Sequence, residues 1–180
     1  PIFPFMLLHL SNPAMTSTKD MELALSHLVS IDHDSVLLID RHLAMLTSKS
    51  DSIVYARIMS IRLSLSIMSG NRVLVSMISE SLISDNQNDI LLLANIIEVC
   101  ECSVQTEENV KTLIDSKLLD RVIDLVSEHE ELCDVAIGLF IACVEKDLSV
   151  ISMLTLLFNE PRVILNSKIH PSALQLEMLI

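Results

Sequence analysis

The chain contains very little glycine and few aromatic residues. Of its 180 residues, two are glycine, none is tryptophan, one is tyrosine and four are phenylalanine. Glycine supplies the positive φ angles that tight β-hairpins and phosphate-cradling loops need, so its scarcity disfavours both. A glycine-rich nucleotide-binding motif is excluded, because the two glycines are isolated. Leucine, methionine, alanine and glutamate favour helices instead, and we predict an all-α fold.

Basic residues are also scarce. Twelve Lys and Arg stand against 24 Asp and Glu, which gives a formal net charge of −12. Nucleic-acid binding depends on basic patches, so we expect no nucleic-acid partner. An acidic chain attracts positively charged surfaces, and we therefore expect a protein partner with a basic surface.

No segment of the sequence is both long enough and continuously apolar enough to be a membrane span, although 51% of the residues are hydrophobic and the mean hydropathy is +0.53. The longest uncharged stretch, residues 1–18, contains three prolines, and the stretches 135–144 and 148–159 are short for a bilayer that needs about 20 residues. The N-terminus has no basic region of a signal peptide. We expect no membrane association, and we expect the chain to be a piece of a longer polypeptide.

The sequence offers no constellation typical of catalysis or metal binding. The four cysteines, at positions 100, 102, 133 and 143, lack the spacing of a disulfide framework or a zinc site. We expect them to be reduced, in the cytoplasm or the nucleus. No serine lies in a nucleophile motif with a histidine partner. We therefore predict no catalytic residue, no cofactor-binding residue, no metal ligand and no enzymatic activity.

Several helix boundaries are marked by capping residues. Ser50 or Asp51 is expected to begin a helix that ends at Gly70, while Asn88 or Asp89 and then Thr106 begin later ones. The segment "HEELCDVAIGLFIACVEK" is apolar nearly all round in its second half, which predicts a central helix covered on several sides.

A pattern of small residues recurs along the chain. In three places an acidic residue is followed five positions later by an alanine: Ala56, Ala94 and Ala136. These alanines are 38 (94 − 56) and 42 (136 − 94) residues apart, and a fourth candidate, Ala173, lies 37 residues after Ala136. Repeats of about 40 residues with two or three helices are typical of the armadillo and HEAT classes. A small residue lets the next helix cross closely, so we expect Ala56, Ala94 and Ala136 to be buried at equivalent crossings. A non-repetitive helical bundle is the alternative.

The repeat spacing predicts a single right-handed α-solenoid of about four repeats with incomplete terminal ones. Its expected boundaries are 17–49 with preceding helices, 50–88, 89–130, 131–170 and a truncated helix at 171–180.

Residues 107–147 resemble an armadillo repeat. "EENVKTLIDSKLLDRVIDLVS" resembles the short first helix, the turn and the second helix, and "HEELCDVAIGLFIACVEKD" resembles the long third helix. Ser116 and Lys117 replace the usual turn glycine, there is no tryptophan, and apolar residues near Ile141 and Ala142 occupy the place of the asparagine ladder. The peptide-gripping function of nuclear-import adaptors is therefore not implied.

The degenerate repeat sequence "NIIEVCECSVQTEENVKTLIDSKLLDRVIDLVSEHEELCDVAIGLFIACVEKD" also resembles one armadillo/HEAT-like family, the 26S proteasome non-ATPase subunit 5 chaperones of base assembly, and the resemblance covers roughly residues 50–160. The resemblance implies an assembly chaperone without chemistry of its own and a proteasomal ATPase subunit as its partner. A transport or cytoskeletal adaptor, or a non-catalytic helical domain of a larger complex, remains an alternative.

Two candidate surfaces follow from these patterns. Alignment of the alanines predicts a concave surface lined by Arg57, Ser60, Ser64, Asn95, Glu98, Glu101, Ile137 and Phe140. The alternative is that the polar residues among them are simply the solvated side of each helix. Exposure of Ile137 and Phe140 would favour a partner groove. The acidic row Asp120, Asp124 and Glu128, spaced by four residues, is either an acidic docking stripe or a solvated face.

Overall fold

The computed structural model describes residues 33–47 and 52–158. Every regular element in these two ranges is helical, which confirms the all-α prediction for the described part of the chain. The predicted cap at Ser50 and Asp51, Ala173 and the predicted helix at 171–180 lie outside the described residues. The elements are α1 (His33–Thr47), α2 (Ser52–Met68), α3 (Arg72–Asp85), α4 (Ile90–Ser103), α5 (Glu107–Asp115), α6 (Leu118–Glu128), a 3₁₀ turn (Glu130–Leu132), α7 (Cys133–Lys146) and α8 (Val150–Phe158).

Gly70 ends α2, as the sequence predicts. Its φ of +71° is left-handed. The amide of Gly70 donates to the carbonyl of Ile67 at 3.0 Å, and the amide of Asn71 donates to that of Ser66 at 2.9 Å. This pair of bonds is the Schellman arrangement, which satisfies carbonyls that the helix itself leaves without partners. Asn71 then caps α3 by accepting a hydrogen bond from the amide of Leu74 at 3.2 Å.

Two further predicted caps are confirmed. The carboxylate of Asp89 accepts from the amide of Leu92 at 3.1 Å and begins α4. Thr106 begins α5 with a capping box, in which its hydroxyl accepts from the amide of Asn109 while the Asn109 side chain accepts from the amide of Thr106. These side chains satisfy amides that have no intrahelical partner.

The turn between α5 and α6 forms without glycine. Lys117 occupies the left-handed region with φ +62°, a conformation that costs an L-residue about 1–2 kcal/mol. The amide of Lys117 donates to the carbonyl of Ile114 at 3.0 Å, and the buried hydroxyl of Ser116 donates to that of Leu113 at 3.0 Å. The turn therefore keeps its geometry through backbone and serine hydrogen bonds.

Helix α4 lies between α2 and α7, and these three helices form one layer. Helices α3, α5 and α6 form a second layer, in which α3 packs on α2, α5 packs on both α2 and α7, and α6 packs on α7. At the two ends, α1 packs on α2 and α8 packs on α7. A single apolar cluster runs through both layers from Met59 to Leu154. The predicted central helix at 133–146 is confirmed, since α7 contacts helices of both layers.

The buried positions of α4 and α7 coincide when Ile96 is aligned with Ala136, an offset of 40 in residue number (136 − 96). The alignment continues to the pair 104 and 144. All six of the following pairs are buried: Ile96 with Ala136, Ile97 with Ile137, Val99 with Leu139, Cys100 with Phe140, Ser103 with Cys143 and Val104 with Val144. This offset differs by two from the 42 that the alanines gave.

The expectation of three equivalent buried alanines is wrong for two of them. Ala136 is 1% exposed, whereas Ala56 and Ala94 are half-buried. In α4 the position that matches Ala136 at the offset of 40 is Ile96, so a large side chain stands where a small one was expected. The alanine match therefore marked similar helices but not equivalent positions.

Polar side chains also join helices across the structure. Arg62 of α2 donates to Asp40 of α1 through Nε at 2.7 Å and Nη2 at 3.2 Å, in an ion pair with only 14% and 10% of the side chains exposed. A buried charge that loses its partner is strongly destabilising, so this pair fixes how α1 sits on α2.

Asn109 is the most extensively bonded of these side chains. It is 4% exposed. Its Nδ2 donates to the carbonyls of Ile67 at 3.0 Å and Met68 at 3.4 Å, at the end of α2. Its Oδ1 accepts from the amides of Gln105 at 3.2 Å and Thr106 at 3.0 Å. One amide group therefore joins the end of α2 to the beginning of α5.

We expect Asn109→Ala to lower the free energy of unfolding by about 2–3 kcal/mol, because it leaves buried carbonyl and amide groups without partners. Chemical denaturation followed by circular dichroism measures the change. Asn95→Ala is the matched control: Asn95 is exposed and donates only to Leu91 of its own helix, so its effect is expected to stay within about 0.5 kcal/mol. Equal effects of the two substitutions would contradict this role of Asn109.

Candidate functional site

Four of the eight residues predicted to line a concave surface are buried. Ser60 is 6% exposed, Ser64 2%, Ile137 7% and Phe140 5%. The hydroxyl of Ser60 donates to the carbonyl of Ala56 at 2.9 Å, and the hydroxyls of Ser64 and Ser103 are 2.7 Å apart between α2 and α4. These four side chains are parts of the core, so the prediction that they line an accessible concave surface is wrong, and the exposure of Ile137 and Phe140 that would favour a partner groove is not found.

The error has a physical cause in the helix alignment. Matching the alanines placed Ile137 with Asn95 and Phe140 with Glu98, both on the accessible side of α4. The offset of 40 places Ile137 with Ile97 and Phe140 with Cys100, which are fully buried. A shift of two residues turns a helical position by about 200°, so a surface position became a core position.

The other four predicted residues retain contact with solvent. Asn95 is exposed, and Arg57, Glu98 and Glu101 are half-buried. Asn95, Glu98 and Glu101 follow one another at intervals of three residues, which places them along one side of α4. Partial burial lowers the pKa of Arg57 from its usual value, yet an arginine remains charged in proteins.

Helix α7 supplies a neighbouring half-buried row. At the offset of 40, Asn95, Glu98 and Glu101 correspond to Val135, Gly138 and Ile141. A Cβ atom at Gly138 would lie 2.7 Å from Oε2 of Glu101, so the absence of a side chain there leaves room for that carboxylate. We call the six residues of these two rows the α4–α7 face: it is polar along α4 and apolar along α7.

The predicted acidic stripe lies on the accessible side of α6. Asp120 is half-buried and forms an ion pair with Lys117 at 3.4 Å. Asp124 and Glu128 are exposed, and neither forms an ion pair with another described residue. Partner binding by this stripe stays a prediction.

Arg121 lies between these acids, and its role is not predicted by the sequence pattern. Its Nη1 donates to the carbonyl of Ser76 at 3.1 Å and to the hydroxyl of Ser79 at 2.9 Å, and its Nη2 lies 3.4 Å from Glu80. Arg121 therefore ties α6 to α3. The one sequence feature that could have indicated this contact is an arginine inside an acidic row. Its partners are distant in the sequence, since Glu80 lies 41 residues and Ser76 lies 45 residues before Arg121.

No metal or membrane site is found in the described ranges. Within residues 33–47 and 52–158, no group of three or more His, Cys, Asp or Glu side chains is placed to hold a metal ion. None of the helices in these ranges combines the length and hydrophobicity needed to cross a bilayer.

The four cysteines are free thiols in two different environments. Cys100 and Cys143 are buried, and desolvation raises the pKa of both, that of Cys143 to about 12. Cys102 and Cys133 are half-buried. Desolvation, with smaller contributions from Asp134 and Glu130, raises the pKa of Cys133.

Comparison of the chain with protein-family models, with curated proteins and with solved structures found no match.

We expect iodoacetamide to label Cys133 of the native protein at pH 8 much faster than Cys143. The thiolate is the reactive form, and burial keeps Cys143 both protonated and inaccessible, so it reacts only after the chain opens. Mass spectrometry of timed samples measures both rates in one molecule, and denatured protein gives the reference rate. Equal native rates at the two positions would contradict the packing of α7 against α4.

Proposed function

We propose that this chain is a protein-binding scaffold of the assembly-chaperone type, built on a right-handed α-solenoid of armadillo/HEAT-like repeats and without chemistry of its own. The observation that carries the proposal is the coincidence of buried positions in α4 and α7 when Ile96 is aligned with Ala136. Armadillo and HEAT repeats, which are about 40 residues long, bury one helix against the equivalent helix of the next repeat, and the resulting stacks present extended surfaces to partners.

The layered packing supports the same proposal. Helix α4 is covered by α2 on one side and by α7 on the other, and α1 and α8 each pack on the neighbouring long helix at the ends. Such nearest-neighbour packing is typical of repeat proteins, in which each unit contacts only adjacent units.

The α4–α7 face is the surface we propose for the partner. Its row on α4 carries the carboxylate of Glu98 and the amide of Asn95, while its row on α7 carries the apolar Val135 and Ile141. Carboxylates beside apolar side chains suit a partner with cationic and apolar groups in the same segment. The net charge of −12 accelerates encounter with such a partner.

The identity of the partner comes from the family resemblance alone. On that basis we propose a proteasomal ATPase subunit, bound in the cytoplasm or the nucleus during assembly of the regulatory particle.

Retention of purified regulatory-particle ATPase subunits on the immobilised chain tests this function. We expect the native chain to retain one of them and Glu98→Lys to weaken retention at least tenfold, because the substitution replaces a carboxylate that faces the partner with a cation. Asp85→Lys, an equal charge change at an exposed position at the end of α3 in the other layer, is the control and should leave retention unchanged.

Two results would count against the proposal, provided that circular dichroism shows each variant to be folded. Retention of no ATPase subunit would refute the proposed partner. Equal retention by Glu98→Lys and the native chain would move the binding surface away from the α4–α7 face.

A further inference from the structure

Ser127 lies at the surface near the end of α6. Its side chain is exposed, and its hydroxyl donates to the carbonyl of Asp124 in its own helix at 2.6 Å. Helix α6 ends at the next residue, Glu128, and the amide of His129 closes the last turn by donating to the carbonyl of Leu125 at 2.8 Å. Within the described chain this hydroxyl bonds to no other helix, so an enzyme can reach it by opening one helical turn.

Three exposed carboxylates follow Ser127 along the chain. Glu128, Glu130 and Glu131 are the first, third and fourth residues after it, and none of them forms an ion pair with another described residue. Glu130 and Glu131 lie in the 3₁₀ turn, outside α6. Their charges are therefore accessible to a protein that binds this segment through basic side chains.

The position of Glu130 distinguishes Ser127 from other exposed hydroxyl groups. Acidophilic serine/threonine kinases bind a substrate through basic side chains that contact carboxylates after the acceptor residue, above all at the third residue. Among the exposed serines and threonines whose side chains the structure describes, Ser127 alone has an acidic residue at that position. The others are Ser84, Thr106, Ser149 and Ser152, followed at that position by Gln87, Asn109, Ser152 and Thr155.

Thr106 provides an internal comparison. Glu107 and Glu108 follow it directly, so it also lies in an acidic segment. Its hydroxyl, however, accepts from the amide of Asn109 at 3.3 Å and donates to Oδ1 of the same residue at 2.9 Å. Modification of Thr106 would remove the cap of α5, whereas Ser127 has no capping role. Both the charge pattern and the free access of the hydroxyl therefore favour Ser127.

We propose that Ser127 is a phosphorylation site for an acidophilic serine/threonine kinase. The Oγ atom of Ser127 attacks the γ-phosphorus of ATP, so an Oγ–P bond forms and the bond between that phosphorus and the β,γ-bridging oxygen breaks. ADP leaves, and the hydroxyl proton passes to a base of the kinase. The proposal assigns a modification to the chain and does not rest on the proposed protein-binding function.

The phosphate is expected to loosen the last turn of α6. It adds about two negative charges beside Asp124 and Glu128, which repel it. The C-terminal end of a helix is also the negative end of its dipole, so further negative charge there is unfavourable. The esterified oxygen can no longer donate to the carbonyl of Asp124. These three effects all weaken the turn that the amide of His129 closes.

Incubation of the intact chain with a purified acidophilic kinase and magnesium ATP tests the site. Tandem mass spectrometry of timed samples locates each phosphate and gives its rate of formation. We expect Ser127 to be phosphorylated at least tenfold faster than Thr106, because Thr106 lacks the third carboxylate and its hydroxyl is engaged. Ser17 and Ser48 also have an aspartate at the third residue after them, but they lie outside the described residues and are counted separately.

Single-charge variants test recognition by the carboxylates. Glu130→Gln is expected to slow phosphorylation of Ser127 at least tenfold, because it removes the charge at the third residue. Glu145→Gln, an equal charge change at an exposed position of α7, is the matched control and should leave the rate unchanged.

Hydrogen exchange tests the effect on α6. The amide of His129 is expected to exchange at least tenfold faster in the phosphorylated chain than in Ser127→Ala treated in the same way. The amide of Val110, in α5, is the control and should exchange at the same rate in both samples.

Three outcomes would overturn the proposal. Absence of phosphate from Ser127 in the folded chain, while a peptide of residues 120–134 is phosphorylated under the same conditions, would show that α6 keeps this serine from the kinase. Equal rates in Glu130→Gln and the native chain would refute recognition through the carboxylates. Equal rates at Ser127 and Thr106 would refute the selection of this site. Unchanged exchange of the His129 amide after phosphorylation would refute the loosening of α6.

Discussion

The structure depends on the requirement that α4 be covered on two sides. Ile96, Ile97, Val99 and Cys100 are all buried and span an arc of about 160° around the helix. A buried arc this wide is covered by more than one neighbour, and α2 and α7 provide the cover. The apolar cluster consequently includes buried residues of all three long helices, α2, α4 and α7.

Apolar packing is not directional, so it does not by itself fix how the helices are aligned along one another. Hydrogen bonds are directional, and those of three polar side chains fix this alignment. Arg62 joins α2 to α1, Asn109 joins α5 to the end of α2, and Arg121 joins α6 to α3. All three contacts join helices that are separated in the sequence by a turn or by other helices. Together these contacts fix how α1, α2, α3, α5 and α6 lie along one another, whereas α4 and α7 are held against each other by apolar packing.

The sequence predicts the local features of the fold well. The caps at Gly70, Asp89 and Thr106 were found because their chemistry is contained within a few residues. The central position of α7 followed from its apolar composition. The polar contacts of Asn109 and Arg121 were not predicted, since each partner lies on another helix and leaves no local pattern.

The candidate surface was predicted only in part, for a related reason. Asn95 and Glu98 are accessible as expected, whereas Ile137 and Phe140 belong to the core. The sequence alignment uses the three alanines as its reference, and a shift of two residues exchanges the inner and outer sides of a helix. Burial patterns, which give the offset of 40, are visible only once the helices are packed.

The central claim is that α4, as the helix covered on both sides, is the most protected part of the described chain. Native-state hydrogen exchange measures this protection residue by residue. The account predicts that amides of α4 such as those of Ile97 and Cys100 exchange only through the largest opening, with protection falling through α2 and α7 to α1 and α8. Faster exchange in α4 than in α1 or α8 would contradict the claim.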